Sequence, residues 1–542
     1  MDSESLVKSS SPVLRDAYEQ LAKESKRTTL MDLILPSDKD EKNDGAEHLS
    51  DDELITRFEL QRLISKGAYR EAVEKWKLAL QSVTKPSLRE DIFKLIIKAH
   101  RLADELREAV SVSDDLIQEQ PYSASHYLLK ADLLNRHQDK LDAINKAIEV
   151  NPHWYRGYYR KAYILFSSLS KRYGKDKDDV VNEALQAVEK GLEKDPSLDN
   201  PCWETKFNLV EELEKNKPAK EAGQKNIIDS LNNMNPESLL VLRLRMSMLS
   251  EEKDQSTIKL QIEEINNLKK KKPLSVHSAF DEVKFKGLMK LVDAKQITKE
   301  IDDAMSAYDL ASEPDLVVAI ARLMRNKLGK DNEAIELLQR CYHAGPFDQD
   351  IVDSLLDVLV DMGRVADAEA IFNKVRMLML PSSVFDFKLK LFEAKNDFDG
   401  GLNEIDKRAV LTGMQEHGFK AYFLIKNNKS KEAESYLRGF LESINFSPEA
   451  AVEIVNYELA CKKQRGKVDQ GRLDKVKSFD ATDQMLAVIY SLLGKKHEMI
   501  EHLKKAVMKN RTFQFDAKRW PVFDSYRADA DFIKAISLPL NN

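Results

Sequence analysis

The stretch LISKGAYREAVEKWKLAL, residues 63–80, decides the fold, because it combines a turn glycine with small residues at fixed spacing. Gly67 is followed by Ala72 five positions later, by Trp76 after another four and by Ala79 after another three. Glycine permits the positive φ that tight turns require. Small residues let two helices approach closely, and the large residue fills the groove between them. The stretch therefore predicts the turn and the second helix of a helical hairpin.

The same spacing recurs along the chain. Counted from the turn residue, it is found as Gly329, Ala334, Leu338 and Cys341; as Gly363, Ala368, Phe372 and Val375; as Asn428, Ala433, Leu437 and Phe440; and as Gly494, Met499, Leu503 and Ala506. Proline closes some units, as at Pro346, since proline ends a helix. One match of this kind is weak evidence, but five with the same internal spacing indicate a helical repeat.

The second and third of these units are 34 residues apart, and at this period the pattern resembles the tetratricopeptide repeat (TPR) family. Residues 148–165, IEVNPHWYRGYYRKAYIL, are similar to the entry of a third repeat in chaperone-binding TPR domains, and Pro121, Pro152 and Pro196 close successive repeats. The resemblance implies an all-α fold: an α-solenoid of tetratricopeptide-type helical hairpins with a degenerate middle section. It is clear over 53–196 and 315–381, weaker over 415–512 and faint between 200 and 314.

The pattern also predicts how the chain is divided. The first 50 residues combine a candidate amphipathic helix over 11–35 with an acidic linker that is poor in core residues. Residues 237–314 keep helical periodicity without the repeat spacing, so they are either degenerate hairpins that continue the superhelix or a hinge. Trp520, Phe523 and Phe532 are expected to cap the last core face. The predicted segments are a flexible N-terminal segment at 1–50, an N-terminal TPR array at 51–236, degenerate hairpins at 237–314, a C-terminal TPR array at 315–512 and a cap at 513–542.

Composition narrows the class of protein. The 542 residues include only 18 glycines and 16 prolines, about half the average share, which argues against turn-rich β folds and glycine-punctuated α/β folds. The net charge of −6 gives no reason to expect nucleic acid. Three widely separated cysteines predict no disulfide framework and a reducing compartment. No apolar run approaches membrane-span length, so we expect a cytoplasmic protein without membrane insertion.

The sequence offers little catalytic chemistry. It lacks a phosphate-binding glycine loop, a dinucleotide fingerprint, a nucleophile elbow, a zinc-protease motif and a CxxC pair. His497 and His502 are five positions apart, which places them on different faces of a helix, and Asp529 and Asp531 match only half of a calcium loop. The lysines at 269–272 are typical of a helix C-terminus, with a nuclear-import tag as the alternative. We expect no enzyme activity, no cofactor and no metal site.

The resemblance to TPR proteins also implies a binding surface. In that family, fixed positions of the first helix of each hairpin face a concave groove. The Ala and Pro markers place Lys94, Lys98, Leu129, Arg156 and Arg160 at such positions in three successive repeats; we call these five residues the cationic groove. Chaperone-binding relatives hold Lys, Asn, Asn, Lys and Arg there and clamp a peptide carboxylate. In this chain Lys98 and Leu129 replace the two Asn, so Lys94, Arg156 and Arg160 match these relatives in charge only. The alternative interpretation is that these cations are ordinary solvated side chains with no role in binding.

These observations predict a non-catalytic TPR scaffold or adaptor that binds protein segments on a concave helical surface. An acidic peptide or tail is one candidate ligand, and the acidic linker of this chain is another. Two alternatives stay open. One is a co-chaperone that binds chaperone C-terminal tails, and the other is a regulatory subunit of a separate enzyme.

Overall fold

The computed structural model describes most of the chain from residue 63 onward. The described residues are 63, 68–103, 105–169, 174–213, 217–249, 254–291, 293–344, 347–479 and 481–537. The expectations for the first 50 residues, and those for Gly67 and Pro346, lie outside the described residues.

Every regular element among the described residues is a helix, and the predicted all-α fold is confirmed. The α-helices are α1 (Tyr69–Ser82), α2 (Pro86–Leu102), α3 (Leu106–Glu119), α4 (Ala124–Leu133), α5 (His137–Val150), α6 (Tyr155–Ser167), α7 (Gly174–Lys194), α8 (Cys202–Leu213), α9 (Lys217–Met234), α10 (Leu239–Met248), α11 (Gln255–Lys269), α12 (His277–Leu288), α13 (Ala294–Ala307), α14 (Pro314–Leu323), α15 (Asp331–Ala344), α16 (Gln349–Asp361), α17 (Val365–Val375), α18 (Pro381–Ala394), α19 (Phe398–Thr412), α20 (His417–Lys426), α21 (Ser430–Ser443), α22 (Ala451–Arg465), α23 (Gln470–Ser478), α24 (Asp483–Leu492), α25 (Lys496–Lys509), α26 (Phe513–Arg519) and α27 (Ala530–Ile536).

Consecutive helices pack as hairpins, and the hairpins stack on one another. The first helix of a pair packs against the second, as α2 does against α3 and α4 against α5. First helices also pack on first helices: α12 on α10, α14 on α12, α16 on α14, and, toward the C-terminus, α22 on α20. A single hairpin leaves an apolar face uncovered, and its neighbour covers that face. The result is the α-solenoid that the sequence predicts.

The turn and contact positions of the repeat motif adopt the predicted conformations. Gly329, Gly363, Gly494 and Asn428 have φ values between 58° and 75°, in the left-handed region that favours glycine and tolerates asparagine. The small-residue positions five residues after the turn are fully buried; they are Ala72, Ala334, Ala368 and Ala433, with Met499 in the last unit. Close contact between the two helices of a hairpin therefore depends on the size of these side chains.

A recurring hydrogen bond ties a repeat to the one before it. An aromatic donor in the new first helix hydrogen-bonds to the carbonyl of the proline that closes the preceding repeat. The pairs are Tyr127 Oη with Pro121 O at 3.2 Å, Tyr158 Oη with Pro152 O at 3.2 Å, and Trp203 Nε1 with Pro196 O at 3.4 Å. Each bond joins the start of a first helix to the turn that precedes it.

Two junctions between repeats were not identified by the spacing of the repeat motif in the sequence. Asn396, with φ of 56°, takes the turn position before α19, and Gly401 takes the small-residue position. A Cβ atom on Gly401 would lie 2.1 Å from a ring carbon of Phe423, so α19 and α20 are in close contact there. Earlier in the chain, Asn235 Oδ1 accepts a bond from the N–H of Glu237 at 3.0 Å and starts the turn into α10.

The degenerate middle section is packed into the same core as its neighbours. Helices α10 to α13 form it, and one hydrophobic cluster continues from Leu242 to Leu391 with no break at residue 314. Asp281 and Lys284 are buried next to this cluster, with Lys284 Nζ 2.8 Å from Asp281 Oδ1. The continuous core favours a continuing superhelix over a hinge, while the segment boundaries themselves stay a prediction.

The C-terminal residues cover the end of the last hairpin. Phe523 and Phe532 are buried in the C-terminal hydrophobic cluster, and Trp520 packs against it. Asp529 is the N-cap of α27: its Oδ1 accepts bonds from the N–H groups of Asp531 at 2.9 Å and Phe532 at 3.3 Å. The aspartates of this segment thus begin a helix.

Candidate functional site

The cationic groove spans the first helices of three successive hairpins. Lys94 and Lys98 lie on α2, Leu129 lies on α4, and Arg156 and Arg160 lie on α6. Helix α6 packs against α4, and a contact between side chains joins α4 to α2. The five predicted residues therefore lie on neighbouring helices.

Lys94 belongs to an ion-pair network that links two repeats. Its Nζ lies 2.8 Å from Glu90 Oε1, and the same oxygen lies 3.0 Å from Nε2 of the fully buried His126 on α4. The close contact with His126, and then Lys94, lower the pKa of Glu90 to about 2, against the opposing effect of burial. Glu90 is therefore ionised at neutral pH, and it holds Lys94 in place while tying α2 to α4.

The two arginines of α6 are held in different ways. Arg160 forms an ion pair with Asp132 near the end of α4, which links α6 to the preceding repeat. The side chain of Asp132 is about half exposed, so solvent reaches this pair. The guanidinium of Arg156 lies 6.0 Å from the centre of the Trp154 ring, at the outer limit of a cation–π contact.

The remaining two residues of the groove differ in character. Lys98 is exposed, yet enough protein surrounds its ammonium group for desolvation to lower its pKa, and Arg101 adds to this effect. Leu129 is partly buried and packs against the N-terminal hydrophobic cluster. Its side chain has no polar group to offer a peptide main chain. Four cations and two carboxylates, Glu90 and Asp132, leave a positive charge of 2 among these residues.

Sequence reasoning missed an aromatic part of the same surface. Tyr159 and Tyr163 lie on α6 with their ring centres 6.1 Å apart, and Tyr163 is 45% exposed. Burial raises the pKa of Tyr159. The sequence did contain a signal for this pair, because Tyr159 and Tyr163 are four residues apart. This spacing places both rings on one face of the helix, beside Arg156 and Arg160. The surface thus offers aromatic rings as well as cations.

Several other residues that the sequence singles out take part in structural contacts. His502 Nδ1 lies 2.9 Å from Asp483 Oδ1, and Lys269 Nζ lies 2.5 Å from Asp281 Oδ2. The three cysteines are free and buried. In the described part of the chain, no group of three or more His, Cys, Asp or Glu side chains is placed to hold a metal ion. None of the helices described here has the length and hydropathy needed to cross a membrane.

Comparison with known proteins finds similarity in structure alone. No protein-family model and no curated protein matches the chain. The crystal structure of yeast Tom70 aligns with 14% sequence identity and a TM-score of 0.36, covering 78% of this chain and 99% of that chain. The crystal structure of the APC/C hetero-tetramer Cut9-Hcn1 aligns with 11% identity and a TM-score of 0.31, covering 82% and 96%. Because both TM-scores are below 0.5, the fold assignment rests on the helices and contacts described above.

Proposed function

We propose that this chain, a stack of TPR-type helical hairpins, is a non-catalytic cytoplasmic scaffold or adaptor that binds segments of partner proteins along the cationic groove. The ligand class we propose is an acidic peptide or tail. A solenoid supports such a role because its stacked first helices give a long surface of defined shape. Extended segments can contact several repeats of such a surface at once.

The observation that supports this proposal is that the cations of two first helices, α2 and α6, lie on either side of α4 and beside an exposed tyrosine. Lys94 and Arg160 are positioned by Glu90 and Asp132, and so their side chains lose less freedom when a ligand binds. A guanidinium can grip a carboxylate with two hydrogen bonds, whereas an ammonium acts as a point charge. We therefore expect Arg156 and Arg160 to contribute more to binding than Lys98.

The test is a titration of the full chain with a fluorescent acidic peptide. The double variant Arg156→Ala/Arg160→Ala should bind about tenfold more weakly, since each arginine supplies a charge-assisted hydrogen bond. Binding should also weaken between about 50 and 300 mM salt, because exposed charges are screened over roughly 10 Å.

A matched control removes two cations from the second helices. Lys146 on α5 and Lys190 on α7 are both exposed, and Lys146→Ala/Lys190→Ala should leave the affinity within about twofold. Equal affinity for the wild type and the arginine double variant, or binding by neither, would show that the cationic groove is ordinary solvated surface.

A further inference from the structure

A cleft of about 350 Å³ lies where the C-terminal end of the chain meets the ends of earlier first helices. Residues from the ends of α16, α18 and α20 line it, together with residues of α26 and of the segment that follows α26. We call it the C-terminal cleft, and its charged lining residues are Asp361, Glu393, Lys426, Lys518, Arg519 and Arg527. None of the five residues of the cationic groove lines it, so it is a separate surface.

The C-terminal cleft carries more positive than negative charge. Four of its lining residues are cations and two are carboxylates. Outside the lining, Asp516 and Asp524 each lie 2.9 Å from one of its arginines, and Arg325 lies 2.7 Å from its aspartate. When these three residues are counted as well, the positive charges still outnumber the negative ones. The cleft therefore favours an anionic ligand.

Two of the cations share one neutral acceptor. Lys426 Nζ donates to the carbonyl oxygen of Arg519 at 2.8 Å, and Arg527 Nη2 donates to the same oxygen at 3.0 Å. The two charges are close together because both lie within hydrogen-bond distance of one atom. Burial lowers the pKa of Lys426, and the charge of Arg527 adds to this effect while Glu393 opposes it. An anion in the cleft would relieve the repulsion between the two cations.

The carboxylates of the cleft are already engaged by cations. Asp361 Oδ1 lies 3.1 Å from Arg519 Nη1, and its other oxygen pairs with Arg325. Glu393 Oε1 lies 3.5 Å from Lys426 Nζ. Each of these acids is therefore committed to a partner within the fold, and the remaining positive charge is what the cleft presents to a ligand.

The arrangement of the cations favours a phosphate group. Lys426 ends α20, Lys518 lies on α26, and Arg527 follows the 3-10 turn Pro521–Tyr526. A phosphorylated serine or threonine carries a charge of about −1.5 to −2 at neutral pH, and its three acceptor oxygens can accept from donors on separate elements. A carboxylate carries one charge and two oxygens. The volume of the cleft also admits the side chain that carries the phosphate.

We propose that the C-terminal cleft binds a phosphorylated serine or threonine side chain of a partner protein, with Lys426, Lys518 and Arg527 as its contacts. Lys518 is exposed, and its Nζ lies 5.7 Å from the centre of the Phe515 ring rather than against a carboxylate of the cleft. Phosphorylation of the partner then decides whether it engages this end of the solenoid. The inference goes beyond the proposed function, since it concerns a different surface and stands if the cationic groove binds nothing.

The test is a titration of the full chain at low salt with the peptide Gly-Gly-phosphoserine-Gly-Gly, labelled with an uncharged dye and followed by fluorescence anisotropy. Two further peptides carry aspartate or unmodified serine in place of phosphoserine. The phosphopeptide should bind, the aspartate peptide should bind at least about fivefold more weakly, and the serine peptide should give no measurable binding, because charge and acceptor oxygens are lost in that order.

The double variant Lys518→Ala/Arg527→Ala should bind the phosphopeptide about tenfold more weakly, since it loses two charge-assisted hydrogen bonds. The matched control is Lys475→Ala/Lys534→Ala, which removes two exposed cations that do not line the cleft and should leave the affinity within about twofold. If circular dichroism shows that the first double variant loses helix, the single variant Lys518→Glu at an exposed position decides, with the same expected direction.

Three further outcomes would overturn the proposal. Equal affinity of the wild type and Lys518→Ala/Arg527→Ala, or no binding of the phosphopeptide by either, would show that the cleft is not a binding site. Equal affinity for the aspartate peptide would overturn phosphate as the ligand. Loss of binding in Arg156→Ala/Arg160→Ala, which should stay within about twofold of the wild type, would assign the phosphopeptide to the cationic groove.

A last arm separates a partner protein from a membrane. Vesicles of phosphatidylcholine with a phosphatidylinositol phosphate present the same phosphate chemistry on a lipid surface. Sedimentation with these vesicles, without binding of the phosphopeptide, would overturn a partner protein as the source of the phosphate. Binding of the phosphopeptide without sedimentation is the expected result.

Discussion

At the scale of single residues, buried or half-buried charges join neighbouring repeats. Glu90 contacts both Lys94 on its own helix and His126 on the next first helix. A paired carboxylate is costly to leave without its partners in a low-dielectric setting, so such a residue fixes the register between two hairpins. The charge of Glu90 therefore matters to stability as well as to the groove.

The lowered pKa of Glu90 predicts a pH dependence. The pKa is about 2 in the folded chain, held there first by His126, against an ordinary value of 4.5. Above pH 4.5 the carboxylate is ionised in both states and contributes fully, up to about 3 kcal/mol. As the pH falls from 4.5 toward 2, the unfolded state takes up a proton first and this contribution is lost.

Urea unfolding followed by circular dichroism checks this prediction. Glu90→Gln should lower the free energy of unfolding at pH 7, and the difference from the wild type should shrink at pH 3 and below. Glu108→Gln on α3 is the control, because Glu108 is exposed. A difference for Glu90→Gln that stays constant with pH would contradict the assigned network.

At the scale of helices, the close approach within and between hairpins is set by the smallest side chain at the contact. Gly401 of α19 faces the ring of Phe423 on α20, and this ring is almost fully buried. Gly439 of α21 has no atom within 4 Å of the place where a Cβ would lie. Both glycines lie within helices, but one is required by packing and the other is not.

This contrast predicts opposite effects of the same substitution. Gly401→Ala should destabilise the chain by about 1–3 kcal/mol, since the buried ring must move to admit the methyl group. Gly439→Ala should stabilise it by about 0.5–1 kcal/mol, because alanine loses less backbone entropy in a helix. Thermal unfolding of both variants makes the comparison. A Gly401→Ala variant as stable as the wild type would mean that α19 and α20 lie further apart.

At the scale of the whole molecule, stacking brings distant repeats near one another. Lys140 on α5 and Arg408 on α19 are close enough for the second charge to lower the pKa of the first, in addition to the larger effect of burial. Near the C-terminal end, Arg519 forms an ion pair with Asp361, which lies 158 positions earlier in the chain. Such long-range interactions are absent from an isolated hairpin.

The extended stack predicts a large radius of gyration. A compact globular protein of this length would have a radius of gyration of about 24 Å. Small-angle scattering of this chain should give a larger radius of gyration. Circular dichroism of the same sample should show a helix content well above the roughly one third that is average for globular proteins. A radius near the compact value would contradict a solenoid of stacked hairpins.

The sequence by itself determined the helical repeat. Turn residues such as Gly363 and Asn428, and small residues such as Ala368, act within one hairpin, so their spacing is visible in a single sequence. The sequence also identified the five residues of the cationic groove and predicted that they lie on successive first helices. Their role in binding stays a prediction.

Only the tertiary structure decided which charges meet. Glu90 with His126, Asp132 with Arg160 and Asp361 with Arg519 are joined across 36, 28 and 158 positions. These partners depend on the angle and curvature with which the hairpins stack, and small differences in angle accumulate from one repeat to the next. The accumulated angle cannot be read from the spacing of residues within one repeat. The ion pair between Arg519 and Asp361 is therefore visible only in the folded chain.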